Sequence, residues 1–539
     1  MKILINNISV ISILFMGMLI QSSFAQVYSD TTWERLYFGP DIDESSNAFN
    51  HIEYYDKGYL LSMYSHTGNL YKPTVVKTDI NGYYLWDRIL DTTFQGGILA
   101  TVISDDGFVY LSGSVSPNDN GPPNPWVIKL NACMEVEWCK IFEWDETSYA
   151  IDIVIDHNGD IIVLTMYYGD SPSERINLIK LSPDGDLIWK KNYATIEDYP
   201  YIWNAQGNQL IISEENDYYI TGQAWWPTNS DPNQGSGLRS FFIKVAPNGH
   251  EEWVMPFGIY NGIYGRAMHS IQFNDTLFLG MGYDFQLDET ILIWYSNEGE
   301  IYSYISKEPL VEEYEYSQIH YPLLQENNTL WCFLIYHEFG SDQTRYGYIK
   351  IDTAFNVLDY MEDDRWGEGF RISLIQTFNN KFITIAAKKE EGPDYNYDVY
   401  ISKRNEDYSF DTVYTNWSGH YDTLCDHEIV SGYLPYECET VIVGMEEVEA
   451  QAQLQAKELH ITVNPNPTQA IAAAEFENFW YKELQMQVIS LTGKEQTKQT
   501  ATAYPRSFSF NTQNYAKGMY FIVLRHNGKI VGSAKFVKE

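Results

Sequence analysis

The chain has 539 residues, 16% of them aromatic with 43 tyrosines, and a formal net charge of −38. So few cations argue against nucleic acid or an anionic membrane surface as the main partner, because both need clustered Lys and Arg. Abundant Tyr and sparse helix formers point to an all-β protein, and the length allows a large core.

The N-terminus reads as a targeting segment. Lys2 supplies a positive region, Ile8 to Ile20 an apolar run, and Ser23-Phe24-Ala25 a small-x-small cleavage site. This is the pattern of a secretory signal peptide over 1–25, with the mature chain starting near Gln26. The apolar run is short for a bilayer span, and no later segment reaches about 18 apolar residues, so no span is expected in the mature chain.

One hairpin pattern then recurs. Asn177 to Tyr193 reads NLIKLSPDGDLIWKKNY: an apolar run ending in Lys, the turn Ser182-Pro183-Asp184-Gly185, and a second run carrying Trp189. Pro presets φ, Asp bonds its own backbone, and Gly accepts φ > 0. Related hairpins occupy Pro73 to Leu90, Pro125 to Phe142 and Phe241 to Phe257, with weaker copies from Ile291, Tyr346 and Asp398. The aromatic position moves from Trp86 to Trp138, Trp189 and Trp253, a period of about 50 to 65 residues that signals a propeller. The repeated Trp is read as a wedge between blades.

Two further strands precede each hairpin, joined by turns such as Asp105-Asp106-Gly107 and His157-Asn158-Gly159. The unit is therefore four antiparallel strands, A to D, which is one blade. Seven A-B-C sets begin near Phe49, Leu99, Ala150, Tyr201, Arg266, Ile319 and Phe370. The isolated strand Trp33 to Phe38 resembles the Trp-bearing half of a hairpin. We expect it to pair into the last of seven blades, with six or eight blades as the alternatives, hiding an edge, and Tyr408 to Thr415 to be displaced or to add outside. The ring is expected over 26–443.

The A–B and C–D turns are short, whereas the B–C loops are long and dissimilar. Variable insertions on one face mark that face for binding. Trp225 and Trp226 open the longest of these loops and are the candidate ligand-binding residues, for a glycan, peptide or protein.

Five cysteines sit in an exported chain, where disulfides persist. Cys133 and Cys139 flank one hairpin turn, and Cys425 and Cys438 share an irregular stretch, so each couple is expected to pair. Cys332 is left as a buried free thiol.

No catalytic motif emerges. His337-Glu338 lacks a second His at zinc-site spacing, Gly169-Asp170-Ser171-Pro172 lacks the form of a nucleophile elbow, and no Gly-rich phosphate loop is present. Asp41 to Ser45 lacks the closing Gly and Glu of a calcium loop. No metal or cofactor is expected. A glycosidase-type carboxylate pair is left open, since spacing in sequence does not give distance across a sugar. The leading expectation is a non-catalytic binding protein, with a carbohydrate-active hydrolase or lyase as the alternative.

After a linker rich in Glu, Gln and Ala (444–459), residues 460–539 read as a small β-sandwich. Three motifs come in order: ITVNPNPT with Asn464, Pro465, Asn466 and Pro467; VISLTGKE with Gly493; and a terminal stretch with Gly518, Tyr520, Lys535, Val537 and Lys538. This resembles the C-terminal sorting domain of proteins exported by the type IX secretion system of Bacteroidota-type bacteria. The resemblance implies passage through the periplasm, engagement of that machinery by the tail, and delivery to the outer-membrane surface or the medium.

Overall fold

The computed structural model describes residues 26–442 and 459–539 apart from short connecting stretches. The longer of these are 38–45, 117–121, 169–175, 195–202, 228–235, 258–264, 339–343, 364–371, 390–396 and, near the C-terminus, 477–482. The expected signal peptide, most of the expected linker, Asp41 to Ser45 and Gly493 lie outside the described residues. The chain divides into two units, Met1–Gly444 and Met445–Glu539.

The first unit is a β-propeller of seven sheets. Blades 1 to 6 each hold four consecutive antiparallel strands, for example Thr147–Ile155, Ile161–Tyr168, Ile176–Leu181 and Leu187–Tyr193 in blade 3. The A strands are Ser46–Glu53, Gln95–Ile103, Thr147–Ile155, Trp203–Ile212, Gly265–Asn274, Tyr314–Leu324 and Ile372–Gln376. Each packs against the A strand of the next blade, and the seventh returns to the first, so the A strands form a closed inner ring.

Blade 7 is completed from the other end of the chain. Glu34–Tyr37 pairs with Tyr397–Arg404 as the fourth strand, and Gln26–Tyr28 adds a fifth. The displaced segment turns back over blade 7, where the Asp411 amide donates to the Lys403 carbonyl at 2.9 Å.

Two repeated side chains hold the blades. In blades 1 to 4 the C-strand Lys faces the D-strand Trp across the ladder: Lys77 with Trp86, Lys129 with Trp138, Lys180 with Trp189 and Lys244 with Trp253. Several of these lysines reach a buried acid at their own A–B turn. Lys180 lies 2.7 Å from Asp156 and 3.0 Å from Asp160, and Lys244 lies 3.0 Å from Asp217. Burial alone would raise the Asp156 carboxyl, but the Lys180 hydrogen bond and charge overcome it and hold the group below its usual range.

The Trp reaches forward to the next blade. A Cβ at Gly185 would lie 2.8 Å from Trp138, and one at Gly299 2.9 Å from Trp253. Both glycines have φ near +80°, so the turn needs glycine and the indole needs its missing side chain. Trp138 Nε1 donates to Pro183 O at 3.0 Å and Trp253 Nε1 to Asn297 O at 3.1 Å. Blades 5 and 6 carry Ser303 and Asp359 at the Trp position. The following turns then place Phe355 and Tyr408, both buried and both at positive φ, where blades 1, 3, 4 and 5 have glycine and blade 2 has the buried Met134. The aromatic volume at the joint has moved from one blade to the other.

Residues 414–442 form a strap over blades 1 and 2. Asp422 accepts from Trp86 Nε1 at 2.7 Å, and the Leu424 amide donates to Tyr55 Oη at 3.0 Å. The strands Gly432–Pro435 and Glu439–Ile442 then pair parallel with the D strands Tyr84–Asp91 and Val136–Glu143. The disulfides are Cys133–Cys425 and Cys139–Cys438, which corrects the expected pairing within each couple. The strap passes the blade 2 turn first and its outer strand afterwards, so each cysteine of the hairpin meets one from the strap. Cys332 is free and fully buried.

The second unit packs a three-stranded sheet (Ile461–Asn464, Ile471–Phe476, Ser507–Asn511) and a four-stranded sheet (Glu495–Thr502, Glu483–Ser490, Gly518–His526, Lys529–Lys538) around one core.

Candidate active site

The A strands carry a shared irregularity. In blades 1 to 5 the ladder skips one residue, leaving Phe49, Leu99, Ile151, Asn208 and Met268 as bulges on the inner ring. Bulges re-aim side chains and concentrate beside active sites. In blade 6 the register passes from His320 to Leu323, so Tyr321 and Pro322 together lie opposite the single residue Cys332. Pro322 has no amide to give the ladder, and it restricts the residue before it. Tyr321 stands at φ +51°. The other non-glycine residues with positive φ lie in turns or at strand ends; among the described residues Tyr321 alone of these adopts it inside a strand. Such strain persists only where the surroundings impose it, and it clusters at functional sites.

Two imidazoles face this tyrosine. The ring centroid of His269, on the A strand of blade 5, lies 4.5 Å from that of Tyr321 and 5.7 Å from that of His320. His320 bonds the Gln318 side chain at 3.2 Å, while His269 Nε2 is buried without a hydrogen-bond partner among the described residues. Burial lowers His269 to about 4. It lowers His320 well below its usual range, helped by the charges of His269 and Arg266. Both rings are therefore neutral at neutral pH, and a neutral imidazole offers a lone pair for taking a proton. Arg266 adds a cation from the same bulged stretch of blade 5.

Asp152, at the bulge of blade 3, also titrates unusually. Burial pushes its carboxyl up to about 6, although the Leu210 amide donates to it at 2.7 Å and the Ile153 amide at 2.9 Å. Gln209 makes the equivalent link one blade on, accepting from the Ser270 amide at 2.6 Å. Imidazole, phenol, guanidinium and a high-pKa carboxyl on one ring of strands are groups that serve acid–base chemistry.

Sequence reasoning missed this cluster. Its residues are scattered over the A strands, and the only signal was Tyr321-Pro322 inside an otherwise regular strand pattern. Trp225 lies in the B strand Tyr218–Pro227, opposite Leu238 and Trp203, and is partly buried. Trp226 is in the same strand, with its side chain outside the described residues, as is most of the loop it precedes. Cys133, Cys425, Asp426 and His427 converge within 4.8 Å, but the two sulfurs are bonded to each other and are not thiolates.

In the second unit Asn464, Pro465, Asn466 and Pro467 are exposed. Asn466 Oδ1 accepts from the Val537 amide at 2.9 Å, and Lys538 Nζ donates to Gln469 O at 2.8 Å, tying the first motif to the last. Tyr520 is buried against Tyr515 and Phe536, whereas Lys535 and Val537 are exposed. Gly518 has φ +151°, a conformation that favours glycine.

The fold and its tail define a class: an exported, all-β protein built from a propeller and an address. Residues 462–539 match the family described as the Secretion system C-terminal sorting domain, the tail of the type IX system. The protein is thus exported across the outer membrane to the surface or the medium. Among the described residues no helix is long and apolar enough to cross a membrane. No curated protein sequence matches the chain.

Solved structures similar to it include the polysaccharide lyase Uly1 (10% identity, TM-score 0.43, 65% of this chain and 88% of that one). An exo-1,5-alpha-L-arabinanase from a bovine ruminal metagenomic library is also similar (12%, 0.27, 59% and 95%). So is prolyl oligopeptidase B from Galerina marginata (9%, 0.40, 80% and 55%). These likenesses concern fold alone. The proteins so named include enzymes, and the expected absence of catalysis is not carried forward.

Proposed function

We propose that the exported propeller is an extracellular carbohydrate-active enzyme, a lyase or hydrolase, with its chemistry at the bulged A strands of blades 5 and 6. Residues 1–25 serve as the signal peptide and the sorting tail directs the second stage of export. The observation that carries the reading is the strained Tyr321 against His269, whose buried Nε2 has no hydrogen-bond partner among the described residues. Neutral His269 takes the role of general base, Tyr321 that of proton donor, and Arg266 that of the group steadying negative charge on the substrate. The Trp225 end of blade 4 contributes substrate contact.

The test is incubation of the purified protein with neutral and uronate-containing polysaccharides, followed by reducing-end and ultraviolet assays. New reducing ends with absorbance of an unsaturated product support a lyase, and without it a hydrolase. No cleavage of any substrate by a folded protein contradicts the proposal.

A further inference from the structure

Blade 5 breaks the repeat at both of its marked positions. Trp294 stands on the C strand where blades 1 to 4 carry Lys, and Ser303 stands opposite it where they carry Trp. Beside these two residues lies a cleft of about 470 Å³ bordered by Phe273, Leu277, Trp294, Tyr302, Asn274, Ser303 and Thr353. This volume falls in the range of small-molecule sites. The cleft lies at the A–B turn end of the blade, away from the bulges. Phe273 and Trp294 meet edge to face, with centroids 5.0 Å apart. Tyr302 is 63% exposed, so one aromatic face is open to a ligand. The strand that carries it, Ile301–Lys307, is exposed along most of its length, unlike the D strands of blades 2 to 4.

The lining alternates aromatic rings with uncharged amide and hydroxyl groups. Among the described residues no Lys, Arg, Asp or Glu borders it, on a chain whose net charge is −38. A charged ligand would find no counter-ion there. A neutral sugar presents an apolar C–H face to an aromatic ring and hydroxyls to the amide and hydroxyl groups around it. We infer that this cleft is a binding site for a neutral glycan, separate from the bulged A strands and independent of whether they are catalytic.

The experiment is isothermal titration of the full mature protein with β-1,4-linked glucose, xylose and mannose hexasaccharides, and with a hexagalacturonate as the charged control. Wild type is expected to bind at least one neutral oligomer and to bind hexagalacturonate at this cleft not at all. Tyr302→Ala, a change at an exposed side chain, is expected to weaken neutral binding about tenfold. Thr353→Arg is expected to abolish it, with both variants keeping the wild-type Tm. Failure of wild type to bind any neutral oligomer overturns the inference. So does neutral binding that both variants leave unchanged.

Discussion

Trp33 stands directly across the ladder from Lys403. The Lys403 amide donates to the Trp33 carbonyl at 3.0 Å, and the Trp33 indole fills the space beneath Gly82 of blade 1, where a Cβ would come within 2.6 Å of it. The two ends of the ring sequence thereby reconstruct the Lys–Trp pair of blades 1 to 4, and the same indole joins blade 7 to blade 1. Trp33→Ala should therefore act as a core truncation, although the residue lies far in sequence from the rest of blade 7. The expected loss is about 3–5 kcal/mol, read by chemical denaturation. A loss under about 1 kcal/mol would show that the closing strand is dispensable.

Glycines that share a backbone conformation should differ in tolerance. Gly185 and Gly159 both have φ near +84°, but a Cβ at Gly185 meets Trp138 at 2.8 Å, while one at Gly159 meets only Pro183 at 3.9 Å. Gly159→Ala should cost about 1–2 kcal/mol from the left-handed backbone alone. Gly185→Ala should cost clearly more, because the indole must also move. Equal losses by denaturation would remove the forward-packing Trp from the account.

The disulfides tether one strap at two points, so their contributions are coupled. With one bond intact, the other closes only a short remaining loop, worth about 3 kcal/mol in the chain-entropy picture; the first tether, spanning 292 residues, is worth about 5 kcal/mol. Replacing both Cys425 and Cys438 by Ser should thus cost more than twice either single change. Non-reducing peptide mapping should recover Cys133 with Cys425 and Cys139 with Cys438, and recovery of Cys133 with Cys139 would contradict the strap.

Three buried imidazoles each pull stability down as pH drops from about 6.5 to 4. His51 and His269 are lowered by burial to about 3 and 4, and His320 further below its usual range. In that window the unfolded chain binds protons that the folded chain refuses, so each imidazole costs up to about 1.4 kcal/mol per pH unit. Asp152 works the other way. Its carboxyl is raised to about 6, so the folded chain holds the extra proton and gains stability as pH falls through that value. Burial also raises Asp79, Asp87 and Asp422, which act in the same sense as Asp152, so the imidazole share is read from single variants. His269→Gln should flatten the fall, and Asp152→Asn should steepen it. A slope unchanged in both variants would contradict these assignments.

Much of the ring was legible because its determinants are local. Turn residues such as Pro183-Asp184-Gly185 and the period-2 runs around them mark each hairpin, and the surplus Trp33 strand marks the closure. The strap strands Gly432–Pro435 and Glu439–Ile442 gave no such signal, because short edge strands owe their form to the blades they lie against. Glu495–Thr502 in the second unit was also missed: an edge strand of polar residues has no apolar alternation to read. The site was least legible. His269 and Tyr321 are 52 positions apart in sequence, and only the closing of the ring sets their rings 4.5 Å from each other.

Export has its own expectation. Removing Gly518–Glu539 takes away two strands of the four-stranded sheet, including buried Tyr520 and Phe536. The truncated chain should accumulate in the periplasm, seen by fractionation and immunoblot. Normal appearance in the medium would contradict a sorting role for these residues.

The most direct test of the enzyme reading is to compare wild type, Tyr321→Phe and His269→Gln on whichever polysaccharide the wild type cleaves. Proton transfer by these two groups predicts that kcat falls about 100-fold or more in each, with KM and Tm close to wild type. Full activity in both variants, or loss only in step with a lowered Tm, would contradict it.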